Sequence, residues 1–168
     1  MDFYEKSSGR GLEIFVGIVL FLISLCFTAL TVFILSKKIE ILSAIILTGL
    51  VFKEYEENFN IGIKELETLI KDFFDNDGFP LSRNPNDLIF FAKYLIFCKE
   101  LIKDSQKYVP EFLQDIIDKN LNCIHFIKTP DEQLPLFNGA SIVNLNPIQK
   151  YLDEFKPNSK NKNLGGLF

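Results

Sequence analysis

The chain has 168 residues, with 18 basic and 22 acidic side chains and a formal net charge of −4. That balance excludes a strongly basic nucleic-acid module, and a 48% hydrophobic content excludes an intrinsically disordered chain. Three scattered cysteines without a CxxC pair, and a single histidine, His125, argue against a disulfide framework and against a metal centre, so no metal and no cofactor is expected.

In chain order, the first predicted element is an uncharged run from Ile14 to Leu35, bounded by Glu13 and by Lys37 and Lys38. As a helix it would measure roughly 33 Å, enough for a bilayer core of roughly 30 Å. The sequence therefore predicts a hydrophobic N-terminal segment over 1–38 that anchors the protein in a membrane as a single pass through residues 14–35. A cleaved signal peptide fits less well, because its apolar stretch is shorter and its start more basic. Lys6 and Arg10 balance Lys37 and Lys38, so the side of the membrane is undetermined.

From residue 39 the pattern becomes that of a helical domain, expected over 39–155. Ile41 to Phe52 is apolar but too short to span, which suits a core helix. Ile63, Leu66, Leu69, Ile70, Phe73 and Phe74 then recur at three- and four-residue steps and predict an amphipathic helix over about 61–74. Asp75-Asn76-Asp77-Gly78 stops it, and Pro80 and Pro85 keep residues 79–86 from being helical throughout. Asp87 reads as the cap of a helix over about 88–103, and Pro110 as part of the first turn of the next, whose apolar side carries Leu113, Ile117, Leu121 and Ile124. A long loop over 129–147 holds Pro130, Pro135, Asn138, Gly139 and Pro147, followed by a short helix over about 148–155 and a loose tail over 156–168. No useful strand alternation is present, so the fold class is all-α, built of αα-hairpins. Hairpins apolar on both sides want further neighbours, as in solenoids or toroids.

The stretch Asp75 to Asp87, DNDGFPLSRNPND, is the most distinctive. It carries Arg83, the only Arg after Arg10 in a chain with 16 Lys, together with Asn84. A planar guanidinium in a loop suits carboxylate recognition, whereas the local alternative is that Asn and Asp only make turns and caps and Arg83 ties down its own loop. Asn138-Gly139, in LPLFNGA, is a turn signal of the same two-sided kind. His125 reads as a satisfied helix residue. Tyr94 and Tyr108 are proton-transfer candidates only if activated.

DGFPLSRNPNDL (77–88), then an apolar helix, then QLPLFNGA (133–140), resembles in order and spacing the heparinase II/III-like protein family. In bacterial members a D-G-G-H-x-S-R-N-P stretch is followed by two helices and an L-x-L-F-N-G segment. IEILSAIILTGLVFKEY (39–55) fits the helix placed upstream there. The resemblance covers about 39–168. It implies an incomplete (α/α) toroid, a β-sandwich domain continuing beyond 163–168, and descent from polysaccharide lyases that act on uronic-acid glycans. It implies an acidic polysaccharide as partner, no nucleic acid, and Arg83, Asn84 and Asn138 as substrate-binding candidates. The Tyr that such lyases place shortly after the loop proline is replaced here by Asn86 and Asp87, and no downstream His is present. No catalytic residue is therefore assigned, and the chain is expected to be inactive alone. The other reading from sequence is a membrane-anchored helical protein that binds a partner without catalysis.

Overall fold

A computed structural model describes the backbone of residues 2–157, and the side chains from residue 16 onward apart from 25, 27–33, 35 and 36. Among the described residues the protein is all-α. The helices are α1 (Asp2–Val51), α2 (Glu56–Phe73), α3 (Pro85–Asp104), α4 (Glu111–Ile127) and α5 (Gln149–Glu154), with single 3-10 turns at Lys53–Tyr55 and Asn146–Ile148. One isolated antiparallel bridge pairs Phe74 with Pro80. The tail expected from 156 lies, from 158 on, outside the described residues.

By their contacts the residues form two units, Met1–Lys37 and Lys38–Phe168. In the first, the backbone is helical from Asp2, and the described side chains, Leu20 and Phe21 among them, are exposed. The membrane expectation is corrected here: among the described residues no helix is long and apolar enough to cross a membrane. A second difference concerns the helix boundary. Residues 14–35 and 41–52 were expected as separate helices, yet α1 continues through both. Lys37, Lys38, Ile39 and Glu40 include no Gly or Pro, and nothing there stops a helix once it has started.

In the second unit, residues 39–51 of α1 pair with α2 as an antiparallel hairpin. Gly49 lies against the backbone of Phe59, and a Cβ on Gly62 would stand 2.6 Å from Ile46 Cγ1. The contact moves down α2 as it moves up α1, so the chains run in opposite directions. Both close approaches need a residue without a side chain. Glu56 and Glu57 supply negative charge to the first turn of α2, which therefore starts earlier than the apolar pattern alone suggests.

Helix α3 is buried along Leu88, Phe91, Ala92, Leu95 and Ile102, and packs chiefly on α4 through Leu113, Ile117, Leu121 and Ile124. Its cap is Asn84 rather than Asp87: the Asn84 side chain accepts the Asn86 N–H at 2.8 Å, and Pro85 takes the first helical position. Proline supplies the helical φ there, and the residue before it is driven to extended geometry, which a cap requires. Asn84 has that geometry, with φ −95° and ψ 120°. The rings of Phe73, Phe74 and Phe91 cluster beneath the α2–α3 connection, Phe73 and Phe91 with centroids 4.2 Å apart. Buried Ser43 donates to the Ile39 carbonyl and receives the Cys98 thiol, so a polar group inside the core is satisfied.

Candidate binding site

The connection from α2 to α3 is organised by one carboxylate. Asp75 Oδ1 accepts the backbone N–H of Asp77 at 3.0 Å and of Phe79 at 2.8 Å, which closes the turn. Asp75 Oδ2 takes the guanidinium of Arg83 at 2.6 Å. These two side chains are only 17% and 29% exposed, so the pair is shielded from water and stronger than a surface ion pair. The Arg83 guanidinium also lies 5.8 Å from the centre of the Phe79 ring, and Phe79 is fully buried.

Helix α4 holds the far side of the same turn. Gly78 has φ +84°, and any Cβ there would run into Lys119. Asn120 donates to the Gly78 carbonyl at 2.6 Å, and the Cys123 thiol to the Asp77 carbonyl at 3.3 Å. Burial, then the Asp75 and Asp77 carboxylates, push the Cys123 thiol up to about 12. It keeps its proton and is no nucleophile at neutral pH.

Arg83 itself sits in the left-handed region with φ 54°, an unusual place for a residue with a long side chain. Three groups hold it there: its N–H donates to the Pro80 carbonyl, its guanidinium meets Asp75, and its carbonyl accepts the Asn138 side-chain amide at 2.9 Å. Asn138 is left-handed as well, with φ 49°, in a turn with Gly139. A second link lies beside the first. In the orientation that satisfies both ends of its amide, Asn86 donates to the Ser141 carbonyl and accepts from the Ser141 N–H and hydroxyl at 3.0 and 2.8 Å. The Ser82 hydroxyl donates to Asp87 at 2.6 Å and steadies the start of α3.

Arg83, Asn84 and Asn138 are thus brought together. Arg83 is ion-paired, Asn84 is a helix cap, and Asn138 clamps the Arg83 backbone. Sequence reasoning missed Asp75 as the partner of Arg83. The signal was an Asp at the end of an amphipathic helix, inside the same loop as the only Arg of the domain. Two of the other polar candidates, His125 and Tyr94, have internal partners. His125 Nε2 lies 2.9 Å from the Leu152 carbonyl and its ring stacks on Phe155. Tyr94 donates to Glu40 at 3.5 Å, and Tyr108 is exposed.

Three groups in this unit hold their protons more tightly than usual. Burial raises the Cys98 thiol, and burial with the neighbouring Glu100 carboxylate raises the Tyr151 phenol. These shifts, like that of Cys123, keep the groups protonated, opposite to what a nucleophile or base needs. Among the described residues no cluster of His, Cys, Asp or Glu is arranged to hold a metal ion. Comparison with protein-family models, with curated proteins and with solved structures finds no match to this chain.

Proposed function

We propose that this chain is part of the helical toroid of a heparinase II/III-like polysaccharide lyase, and that it binds a uronic-acid glycan at the Arg83 loop without performing elimination on its own. One observation supports the reading most. The two segments that carry the resemblance, 77–88 and 133–140, are far apart in sequence yet meet through Asn138 on the Arg83 carbonyl, with Asn86 bonded to Ser141 just past the second segment. They meet around an arginine held in a strained backbone conformation, and strain of this kind collects at ligand-binding positions.

The chemistry follows from the Asp75–Arg83 pair. A guanidinium is a planar fork that binds carboxylates, and Asp75 already presents one to it. A uronate approaching the loop shares that fork or displaces Asp75 from it. Elimination additionally requires a base for the C5 proton and an acid for the leaving oxygen.

Titration with oligogalacturonate tests the reading. Arg83→Lys loses the fork and should weaken binding by about tenfold. Asp75→Asn keeps an acceptor for the turn while removing the competing charge, and should tighten binding. A second reading, a helical interaction module whose loop is purely structural, is favoured by the same ion pair. It predicts that both variants lower the melting temperature and leave glycan binding unchanged, which would sink the lyase reading.

A further inference from the structure

Asn138-Gly139 is the only asparagine–glycine pair in the chain. Phe137 to Ala140 form a tight turn: the Phe137 carbonyl accepts the Ala140 N–H at 3.0 Å, and φ is positive at both central residues, 49° at Asn138 and 80° at Gly139. In such a pair the glycine nitrogen can attack the side-chain carbonyl carbon of the asparagine, because no Cβ on the glycine shields it. Three features of this turn favour the attack. Both residues are exposed. Among the described residues, the Gly139 N–H meets no acceptor. A Cβ built on Gly139 would touch nothing within 4 Å, so the backbone has room to close a ring and water has access to open it.

Asp77-Gly78 could close the same ring, and the structure blocks it there. The Gly78 N–H donates to the Asp75 carbonyl at 3.0 Å, and Gly78 is packed so tightly that a Cβ would collide with Lys119. The Asp77 carbonyl is held by the Cys123 thiol at 3.3 Å. Asn138 is restrained by one bond of its own, its amide on the Arg83 carbonyl at 2.9 Å, and by the neighbouring link between Asn86 and Ser141.

We propose that Asn138 is a spontaneous modification site, converted to aspartate and isoaspartate through a cyclic imide with Gly139, and that the conversion uncouples the α4–α5 connection from Arg83. The Gly139 nitrogen gives up its proton and bonds to Asn138 Cγ. The Cγ–Nδ2 bond breaks, and Nδ2 takes up a proton and leaves as ammonia. Water then adds to either ring carbonyl: opening on the side-chain side gives aspartate, and opening on the main-chain side gives isoaspartate. One water is consumed and one ammonia released, with no oxidant or reductant. Either product carries a carboxylate, which only accepts hydrogen bonds. Facing the Arg83 carbonyl it sets two acceptors against each other, so the clamp does not re-form. The amide that restrains the turn is the group that leaves, which makes the release one-way. None of this depends on what the Arg83 loop binds.

The test ages the full chain in mildly alkaline buffer made with heavy-oxygen water, both folded and in urea, and maps the masses by peptide. In the folded chain the peptide holding Asn138 should lose its amide, gain one heavy oxygen and separate into two products, while the peptide holding Asp77-Gly78 keeps a single form. Asn86→Ala frees Ser141, and should speed the conversion about fivefold in the folded chain while leaving the rate in urea unchanged. Asn138→Asp, a stand-in for one product, should show faster hydrogen exchange across the α4–α5 connection without any ageing. Conversion confined to urea, or isoaspartate forming at Asp77 as fast as at Asn138 in the folded chain, would overturn the proposal, since the fold would then not single out this pair. An Asn138→Asp chain that exchanges like wild type, or an Asn86→Ala chain that converts no faster, overturns the release.

Discussion

Two connections carry the motifs, and they are held in opposite ways. The α2–α3 connection is short and dense: Phe74, Phe79 and Pro80 are buried, and the Asp75 carboxylate both accepts two N–H groups of the turn and pairs with the Arg83 guanidinium. The connection from α4 to α5 is long and open, with Leu136 and Ile142 exposed at 62% and 82%. Near its start the Thr129 backbone and hydroxyl bond Gln133, and in its middle it leans on the first connection through Asn138 and Ser141. The first is fixed by a charge inside itself, and the second borrows its order. A buried carboxylate that accepts several N–H groups organises a loop locally, whereas a loop without one needs a partner already in place.

The largest expected effect breaks the first connection at its hub. Asp75→Ala removes the acceptor of two backbone N–H groups and leaves the Arg83 guanidinium shielded and unpaired. The loss should be about 4 kcal/mol, read from urea unfolding. A loss below about 1 kcal/mol would mean that the turn is held by α4 through Gly78 and Cys123, and the contrast between the two connections would fail.

A middle-sized effect is visible as a pH dependence. Burial and the carboxylates of Asp75 and Asp77 raise the Cys123 thiol from 9.0 to about 12 in the folded protein. The folded state binds this proton more tightly than the unfolded chain does. Its contribution is therefore complete below pH 9, and it is lost as the pH rises from 9 toward 12. Stability should fall across that window by up to about 1.4 kcal/mol per pH unit from this group. Cys123→Ala should flatten the slope relative to wild type, whatever constant cost its missing sulfur adds. An identical slope in both proteins would show that the carboxylate-lined turn does not press on the thiol.

Much of this arrangement is legible in the sequence, and the failures have physical causes. The period of Leu66, Leu69 and Phe73, and that of Leu113, Ile117 and Leu121, gives amphipathic helices whose buried faces are those observed. The capping residue of α3 was misplaced because Asn84-Pro85 and Asp87 compete, and a proline preference for the first helical position decides between them. The break expected near residue 38 rested on a change of composition, which does not interrupt a helix when every residue involved tolerates helical geometry. Within the site, residue types drew attention to the loop of Arg83 and Asn84, and Asn138 joined them as a candidate only through the resemblance. The meeting of Asn138 with Arg83 is a tertiary event between left-handed residues, and no local preference encodes it. Asp75 was hidden by its position, since an Asp after an amphipathic helix reads as a stop signal and only its second oxygen reaches Arg83.

The smallest effect sharpens the comparison most, because it separates hydrogen bond from backbone strain. Asn138 contributes in two ways: its amide clamps the Arg83 carbonyl, and it tolerates a left-handed φ of 49° better than most residues do. Asn138→Gly removes the amide but keeps, indeed eases, the backbone geometry. Asn138→Ala removes the amide and adds the penalty of a Cβ in the left-handed region. The glycine variant should cost about 1 kcal/mol, the worth of one hydrogen bond, and the alanine variant about 1 kcal/mol more. Hydrogen exchange then tells the two connections apart. In both variants amides from about 134 to 145 should exchange faster, while those of Asp77 and Phe79, bonded to Asp75, keep their protection. If the Asp77 and Phe79 amides loosen together with the later segment, dependence runs both ways. The two connections are then a single cooperative unit, with Arg83 held as firmly by Asn138 as by Asp75.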